Sequence, residues 1–325
     1  MKYIIKKTLF FLITLWAALT INFMLPRMMP GDPVSVMVAK FQGKLNPEAI
    51  HSLQKAFGLD TNLSPINQYF DYLKRMFTGD FGISISYFPS NVSDILSRAF
   101  PWTIGLAGIS LIIAFTLGTI LGIKSSWKRN SALSSSSVIF SLFFNAMPYF
   151  WFALLINYIF GFALGWFPLS GAYDGDSIGF SKFISILYHA FLPALTIIIT
   201  AMGGWLLTMR NNMITVLAED FVSFAYAKGL SEEQIVYSYA ARNAILPSFT
   251  GFAMSLGFVV SGTLLTEIVF SYPGIGYLLY QSVLNMDYPL MQAIFLFITL
   301  SVLIANFIAD ILYVFLDPRA RTGGE

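Results

Sequence analysis

One polar stretch separates two apolar segments of the chain: Glu219-Asp-Phe-Val-Ser-Phe-Ala-Tyr-Ala-Lys-Gly-Leu-Ser-Glu-Glu-Gln234, which continues through Arg242-Asn243-Ala-Ile-Leu-Pro247. Residues 212–228 can be placed on a helix with one apolar side. That side would consist of Leu217, Phe221, Phe224 and Ala225. The charged residues lie off this side, so the pattern predicts a helix on a surface rather than one that spans a membrane.

The same stretch contains signals for a sharp turn. Gly229 stands where a helix needs a left-handed C-terminal cap. Ser231 and Gln234 have the spacing of a capping box, which would open a second helix running to about Asn243. Two short helices are therefore predicted to meet at an elbow. Small residues at 225, 227 and 229 would leave a shallow depression there, a shape suited to packing by another protein.

The composition indicates a membrane protein. Of the 325 residues, 56% are hydrophobic and 11% are charged, whereas soluble domains carry about 25% charged residues. The net charge of +2 comes from scattered basic residues and gives no indication of nucleic-acid binding. The chain has no cysteine, and its only histidines are His51 and His189. No metal site and no catalytic triad is therefore expected.

Six apolar segments predict an all-α integral membrane protein with six transmembrane helices in a lipid bilayer. They are 8–25, 101–123, 134–160, 189–209, 246–269 and 290–316. The first segment lacks a small-residue cleavage site, which favours an uncleaved span. We expect three parts: an N-terminal transmembrane helix (1–27), a small extracytoplasmic insertion (28–98), and a five-helix core (99–325) that contains a cytoplasmic loop at 211–247.

Two of these segments contain residues that affect helix geometry. Gly118 and Gly122 have the spacing that permits close approach of a neighbouring helix. Met147-Pro148 is expected to kink or break its segment. Such a break is compatible with a gating element, and equally with a proline that is tolerated because its neighbours pack against it.

The distribution of basic residues predicts the orientation. Eleven of the 19 lysines and arginines fall in the N-terminus, 124–129, 210–242 and the C-terminal tail, and one falls in the two short loops of the opposite side. The remaining seven belong to the long insertion, to which the positive-inside rule applies poorly. Both termini and the 211–247 loop are therefore predicted to be cytoplasmic in a multi-pass membrane protein.

The polar stretch resembles a known motif. Ala225-Tyr-Ala-Lys-Gly-Leu-Ser231 followed by Arg242-Asn-Ala-Ile-Leu-Pro247 is similar to the cytoplasmic coupling loop of ABC-importer permeases, in the form found in the oligopeptide/dipeptide permease family. The interval of 18 residues between Gly229 and Pro247 matches that branch. The resemblance implies that residues 219–247 dock on an ATPase. The residues implied in coupling are Asp220, Ala225, Ala227, Lys228, Gly229, Ser231, Arg242, Asn243 and Pro247.

Further short matches to the family occur in order along nearly the whole chain. They are Pro30-Gly-Asp-Pro33, Phe57-Gly-Leu-Asp60, Gly79-Asp-Phe-Gly82, Leu192-Pro-Ala-Leu195, Tyr272-Pro-Gly-Ile-Gly276, Asp287-Tyr-Pro289 and Asp317-Pro-Arg319. The chain departs from the family in the coupling loop itself. Ser223, Phe224, Tyr226 and Tyr239 replace residues that are usually more polar or basic. Because these four positions lack charge, docking of an ATPase through salt bridges is less strongly indicated. Docking through the packing of small residues is not affected by the departure.

The resemblance also implies a location, partners and cofactors. The location is the inner membrane of a prokaryote. The resemblance predicts a second homologous permease subunit in a heterodimer, two ABC ATPase subunits that bind ATP and Mg, and an extracytoplasmic solute-binding protein. No cofactor is expected in this chain. A phosphate-binding loop needs the pattern Gly-x-x-x-x-Gly-Lys-Ser/Thr, and the only Gly-Lys pair, Gly43-Lys44, lacks both the upstream glycine and the following hydroxyl.

Two other classes of protein are less compatible with the sequence. An ion-coupled secondary transporter would carry ionisable residues deep in its spans, and only Glu267 and Asp310 lie in or near span ends. Glu267 is a candidate pathway or gate residue, with a structural role as the alternative. An intramembrane enzyme would have almost no catalytic side chains available. The substrate stays open between dipeptides, oligopeptides, oligosaccharides and nickel, because in relatives a separate receptor largely selects it.

Overall fold

The computed structural model describes residues 2–29, 63–127, 130–259 and 263–316, together with the single positions 48, 52 and 57. Several sequence predictions lie outside these residues. They concern Pro30–Pro33, Gly43-Lys44, His51, Gly58–Asp60, Lys128, Arg129, the side chain of Asp310 and the tail from Asp317.

The regular structure of the described residues is helical, which confirms the all-α character of the predicted fold class. The helices are α1 (Lys2–Met28), α2 (Pro65–Thr78), α3 (Val92–Trp127), α4 (Ala132–Ala146), α5 (Tyr149–Ile156), α6 (Phe180–Val216), α7 (Asp220–Ala227), α8 (Ala241–Gly257), α9 (Leu264–Val269), α10 (Ile275–Leu284) and α11 (Tyr288–Leu316). Two π-helical turns, Asn157–Ala163 after α5 and Gln234–Ala240 before α8, extend these helices. The only bridge between extended residues in the described part joins Ile83 and Asn91.

Four helices, α1, α3, α6 and α11, are long and apolar enough to cross a membrane. A fifth span results if α4 and α5 with its π-helical turn count as one, although they are bent by 99°. The bend lies at Met147-Pro148, as expected for a proline without an amide hydrogen. The predicted span 246–269 is instead divided between α8 and α9, so the described residues do not confirm the count of six.

The predicted end of the insertion at residue 98 falls inside a helix. α3 begins at Val92 and continues without interruption through Pro101 to Trp127. Its 36 residues would extend about 54 Å at 1.5 Å per residue, which exceeds a hydrocarbon core of about 30 Å. The first turns of α3 therefore belong structurally with the segment that precedes the span.

The first of two compact units comprises residues 1–103 and 273–325. Its core joins α1, α2 and α11 through the buried side chains of Leu19, Phe23, Tyr72 and Leu296. Asn22, buried within α1, donates hydrogen bonds to the Tyr72 hydroxyl at 3.0 Å and to the Gln292 carbonyl at 2.8 Å. These bonds use both hydrogens of the buried amide nitrogen and fix α1 against the other two helices, whereas the amide oxygen has no partner among the described residues.

Asp287 connects the turn after α2 to the start of α11 within this unit. Its buried carboxylate accepts hydrogen bonds from the Ser84 hydroxyl and from the Ser86 amide at 2.8 Å. It also caps α11, because the Leu290 amide lies 3.3 Å from its other oxygen. The carboxylate therefore satisfies donors from two segments that are about 200 residues apart in sequence.

We expect Asp287→Ala to destabilise the protein by about 3 kcal/mol, because buried donors lose a charged acceptor. Thermal unfolding of the purified chain in detergent measures this effect. Asp176→Ala is the control, since Asp176 is exposed in a loop. Equal stability of the two variants would contradict the role of Asp287.

The second compact unit comprises residues 104–272. Its helices approach closely where glycines occur. A Cβ atom at Gly118 would lie 2.7 Å from Trp205 Cβ of α6, and one at Gly122 would lie 2.8 Å from the Leu206 carbonyl. Across the other side of α6, a Cβ at Gly203 would lie 3.1 Å from Ser141 Cα of α4. The close approach predicted from the spacing of Gly118 and Gly122 is therefore confirmed.

Candidate functional site

The polar stretch 219–247, hereafter the elbow segment, begins with a short helix. α6 ends at Val216, Glu219 is extended, and α7 starts at Asp220. The acidic residue in this first turn is favourable next to the positive end of the helix dipole. The single helix predicted over 212–228 is therefore wrong, because the chain changes direction at 217–219.

This change of direction also moves the buried face. In α7, Val222 and Ala225 are buried and pack against Ile235. Phe221 and Phe224, which were predicted on the apolar side, are exposed, and Phe224 has 67% of its surface accessible. The predicted depression of small residues is not formed as expected, since Ala225 lies inside this cluster and only the other two small residues are exposed.

The end of α7 has the predicted left-handed cap. Gly229 has φ of 75°, a conformation that favours glycine. Its amide donates to the Tyr226 carbonyl at 2.9 Å, and the next amide, of Leu230, donates to the Ala225 carbonyl at 3.3 Å. This pair of bonds is a Schellman motif, and it is completed by the packing of Leu230 against the cluster of α7.

The second helix opens at Ser231 with the predicted capping box. The Ser231 amide donates to the Gln234 side-chain oxygen at 3.2 Å, and the Gln234 amide donates to the Ser231 hydroxyl at 3.4 Å. Only Leu230 separates this box from the left-handed glycine. The elbow is therefore fixed by hydrogen bonds on both sides.

The helix that follows does not end near Asn243. It continues through the π-helical turn into α8, and Pro247 lies inside α8 rather than at the start of a span. Arg242 and Asn243 are exposed on this helix. The part of the elbow segment that follows Ser231 and the beginning of the predicted fifth span are thus one continuous helical rod.

Two sets of contacts fix this rod to the rest of the unit. A buried cluster joins the ends of α3 and α6 to the rod through Ile123, Met209, Met213, Val236, Ala240, Ala241 and Ala244. In addition, Asn212 of α6 donates to the Ala244 carbonyl and to the Ser248 hydroxyl, both at 3.1 Å. Asn212 was missed in the sequence, although an amide near the end of an apolar helix is a signal for such a contact.

Leu217 is shared between the two buried clusters of this region. It packs against the cluster that joins α3, α6 and α8, and also against the cluster of α7. It lies in the turn between α6 and α7, where the chain changes direction. A displacement of α7 would therefore act on α6 through one shared side chain and through the short turn.

Eight of the nine predicted coupling residues lie on the accessible surface. They are Asp220, Ala227, Lys228, Gly229, Ser231, Arg242, Asn243 and Pro247, whereas Ala225 is buried. Aromatic side chains project beside them, namely Phe221, Phe224, Tyr226, Tyr237 and Tyr239. The elbow segment therefore presents an aromatic surface on a fixed backbone. An aromatic surface on a fixed backbone suits protein docking, because aromatic side chains bury a large area and lose little conformational entropy on binding.

Glu267, the candidate pathway residue, lies elsewhere in the unit and is fully buried. The Thr263 hydroxyl lies 3.3 Å from its carboxylate, and the Tyr272 amide donates to its backbone carbonyl at 2.8 Å. Burial and, secondly, the charge of Glu267 raise the pKa of Tyr272 to about 12, so this hydroxyl stays protonated. No group of three or more His, Cys, Asp or Glu residues suited to a metal occurs in the described part of the chain.

Comparisons with known proteins identify two matching family models. The model described as "Binding-protein-dependent transport system inner membrane component" matches residues 95–322. A second model, for the N-terminal part of binding-protein-dependent transport system membrane components, matches residues 1–107. The two matches overlap within α3 and together extend over nearly the whole chain.

Individual proteins of this kind are similar to the chain over almost their full length. A di/tripeptide transport system permease protein of Pseudomonas aeruginosa is 33% identical over 326 residues, with 95% of each chain covered. An oligopeptide transport system permease protein of Bacillus subtilis is 32% identical, with 98% of each covered. Another from Haemophilus influenzae is 32% identical, with 99% of each covered.

Proposed function

The chain belongs to the family of binding-protein-dependent transport system inner membrane components, and we propose that it is the translocation subunit of an ATP-driven importer of peptides. The permeases to which it is similar are named for di/tripeptide and oligopeptide transport. The chain would form half of the pathway beside a second homologous permease. An extracytoplasmic binding protein would deliver the peptide, and two ATPase subunits would bind ATP and Mg.

The observation that carries the proposal is the fixed, aromatic elbow segment. ATPase subunits would dock there from the cytoplasm, which agrees with the distribution of lysine and arginine on either side of the predicted spans. The same distribution supports cytoplasmic termini and six spans in the inner membrane, with α8 and α9 together as the fifth.

The contacts of the elbow segment suggest how movement of the ATPases reaches the pathway. A shift of α7 would move α6 through Leu217, which packs in both clusters. It would also move α8, because the rod from Ser231 into α8 is continuous and buried against α3 and α6. Packed helices of this kind move as rigid bodies, so nucleotide-driven displacement would alternate access to the pathway.

We expect Phe224→Glu to weaken docking of the ATPases at least about tenfold, because a charge would have to be buried in an apolar groove. Co-purification of the ATPases with the permease pair, titrated with ATPase, measures this loss. Phe70→Glu is the matched control, since Phe70 is equally exposed, at 63%, but lies on α2. Undiminished co-purification of Phe224→Glu would contradict an aromatic docking surface.

The whole function is tested in proteoliposomes that contain the permease pair, both ATPases and the binding protein. We expect uptake of a labelled dipeptide to require ATP and the binding protein and to be unaffected when ion gradients are collapsed. Uptake by this chain alone, driven by a proton or sodium gradient, would instead establish a secondary transporter. Chemical conversion of the peptide by the purified chain would establish an enzyme.

A further inference from the structure

A cavity of about 480 Å³ lies among the helices of the second compact unit. Residues of α3, α4, α5, α6, α8 and α9 line it, and it borders the break at Met147-Pro148. Its volume is within the range of about 300–1,000 Å³ that is usual for small-molecule sites. It does not include the elbow segment or Glu267.

The lining of this cavity is uncharged but contains hydrogen-bonding groups. Apart from Tyr149, the polar side chains of the described lining are Asn145, Thr200, Ser255, Thr263 and Thr266. The other lining residues are apolar or aromatic. A charged group would be poorly solvated there, whereas a neutral polar group would find partners.

The hydroxyls fall into two kinds. Thr200 donates to the Thr196 carbonyl at 2.8 Å, and Ser255 donates to the Phe252 carbonyl at 2.7 Å. Their oxygens remain able to accept a hydrogen bond from an occupant. Thr266 differs, because it is fully buried and its hydroxyl has no hydrogen-bond partner in the described part of the chain. A buried hydroxyl without a partner is unfavourable, so this group is suited to an occupant that supplies one.

We propose that this cavity holds the uncharged peptide bond of a peptide in transit. A peptide unit carries one acceptor and one donor. Its carbonyl would accept from the Thr266 hydroxyl, and its N–H would donate to the oxygen of Thr200 or Ser255. The charged termini of the peptide would lie outside the apolar part of the lining. This assignment rests on the proposed transport function and adds the part of the substrate that the chain itself recognises.

The first test compares Thr266→Val with Thr119→Val in the complete reconstituted importer. Thr119 is also buried, at 6% exposed, with a hydroxyl that lacks a partner among the described residues, but it does not line this cavity. We expect Thr266→Val to lower the uptake rate of labelled tetraalanine roughly threefold to tenfold, the effect of one lost hydrogen bond. The central peptide bond of tetraalanine lies two residues from either charged terminus. Thr119→Val should leave the rate unchanged. Thermal stability should not fall in either variant, because each loses an unpaired hydroxyl.

The second test uses the absence of cysteine from the natural chain. Ser255→Cys introduces a single thiol into this chain at a partly buried position of the lining. Tetraalanine should slow its labelling by a maleimide in the complex held open with an ATP analogue. Labelling of Thr250→Cys should be unaffected by the peptide, since Thr250 is also partly buried on α8 but does not line the cavity. Equal uptake by wild type and Thr266→Val, with no protection of Ser255→Cys, would overturn this assignment while leaving the transport function intact. Absence of uptake of both dialanine and tetraalanine by the wild-type complex would overturn the transport function and the assignment with it.

Discussion

Gly122→Leu is expected to prevent stable packing of α3 against α6. A Cβ at Gly122 would lie 2.8 Å from both the Leu206 carbonyl oxygen and Met209 Cβ, and 3.1 Å from the Arg210 amide nitrogen. Two of these atoms belong to the backbone of α6, which cannot move aside without moving the whole helix. Overpacking by smaller groups already costs about 1–3 kcal/mol, so a leucine should exceed that cost. Fluorescence-detected size exclusion of the solubilised protein should show little monodisperse material.

The control for this substitution lies on the same helix. Gly108→Leu replaces a glycine whose Cβ would meet nothing within 4 Å. It should therefore fold as wild type, or somewhat more stably, since leucine is a better helix former than glycine. If Gly122→Leu and Gly108→Leu gave the same elution profile and melting temperature, the close contact of α3 and α6 would not be required for folding.

The close contact of α3 and α6 and the elbow share a property that made them predictable. Each depends on glycine or on capping residues at fixed short spacings. Gly118 and Gly122 indicate a strip of α3 without side chains, which a second helix can approach closely. Gly229 indicates where one helix ends, and Ser231 with Gln234 indicates where the next begins. These signals are local, so the structure reproduces them. The family resemblance, carried by ordered short motifs, is confirmed by the comparisons as well.

The end of α6 was not predictable by the same means. No glycine or proline marks the turn at 217–219, and no side chain caps the start of α7. The turn is stabilised by tertiary packing, because Leu217 contacts two clusters formed by distant residues. Once the helix axis changes there, the helical periodicity starts anew. Leu217 and Ala225 of the predicted apolar face do pack against buried residues. Phe221 and Phe224 are exposed, so the predicted face coincides only in part with the true one.

The exposure of Phe221 and Phe224 has a second cause. Periodicity assigns apolar residues to the interior of a chain, and it cannot distinguish an interior from a surface that is covered by another protein. The start of the predicted fifth span was also not predictable from local sequence signals. Pro247 is a reasonable first residue of a helix, yet the π-helical turn and the packing of Ala240, Ala241 and Ala244 extend the helix through it.

Gly229→Trp is expected to reduce receptor-stimulated ATPase activity and uptake roughly tenfold to a hundredfold, because a bulky side chain would occupy the docking surface. Within the chain a Cβ at Gly229 meets nothing within 4 Å. The substitution therefore adds only the backbone strain of a positive φ, about 1–2 kcal/mol. Assembly of the permease pair should persist, which separates loss of coupling from loss of folding.

Gly229→Ala and Gly165→Trp complete the design. Gly229→Ala has the same backbone strain without the bulk, so coupling should stay within about threefold of wild type if strain of this size leaves the elbow intact. Gly165→Trp places the same bulk at another glycine of positive φ with open space around it, in the loop after α5, and should leave coupling unchanged. Retained coupling in Gly229→Trp would exclude the elbow as the docking surface. Equal losses in Gly229→Ala and Gly229→Trp would instead assign the effect to the left-handed cap, and the elbow would then act through its backbone geometry rather than through the space in front of it.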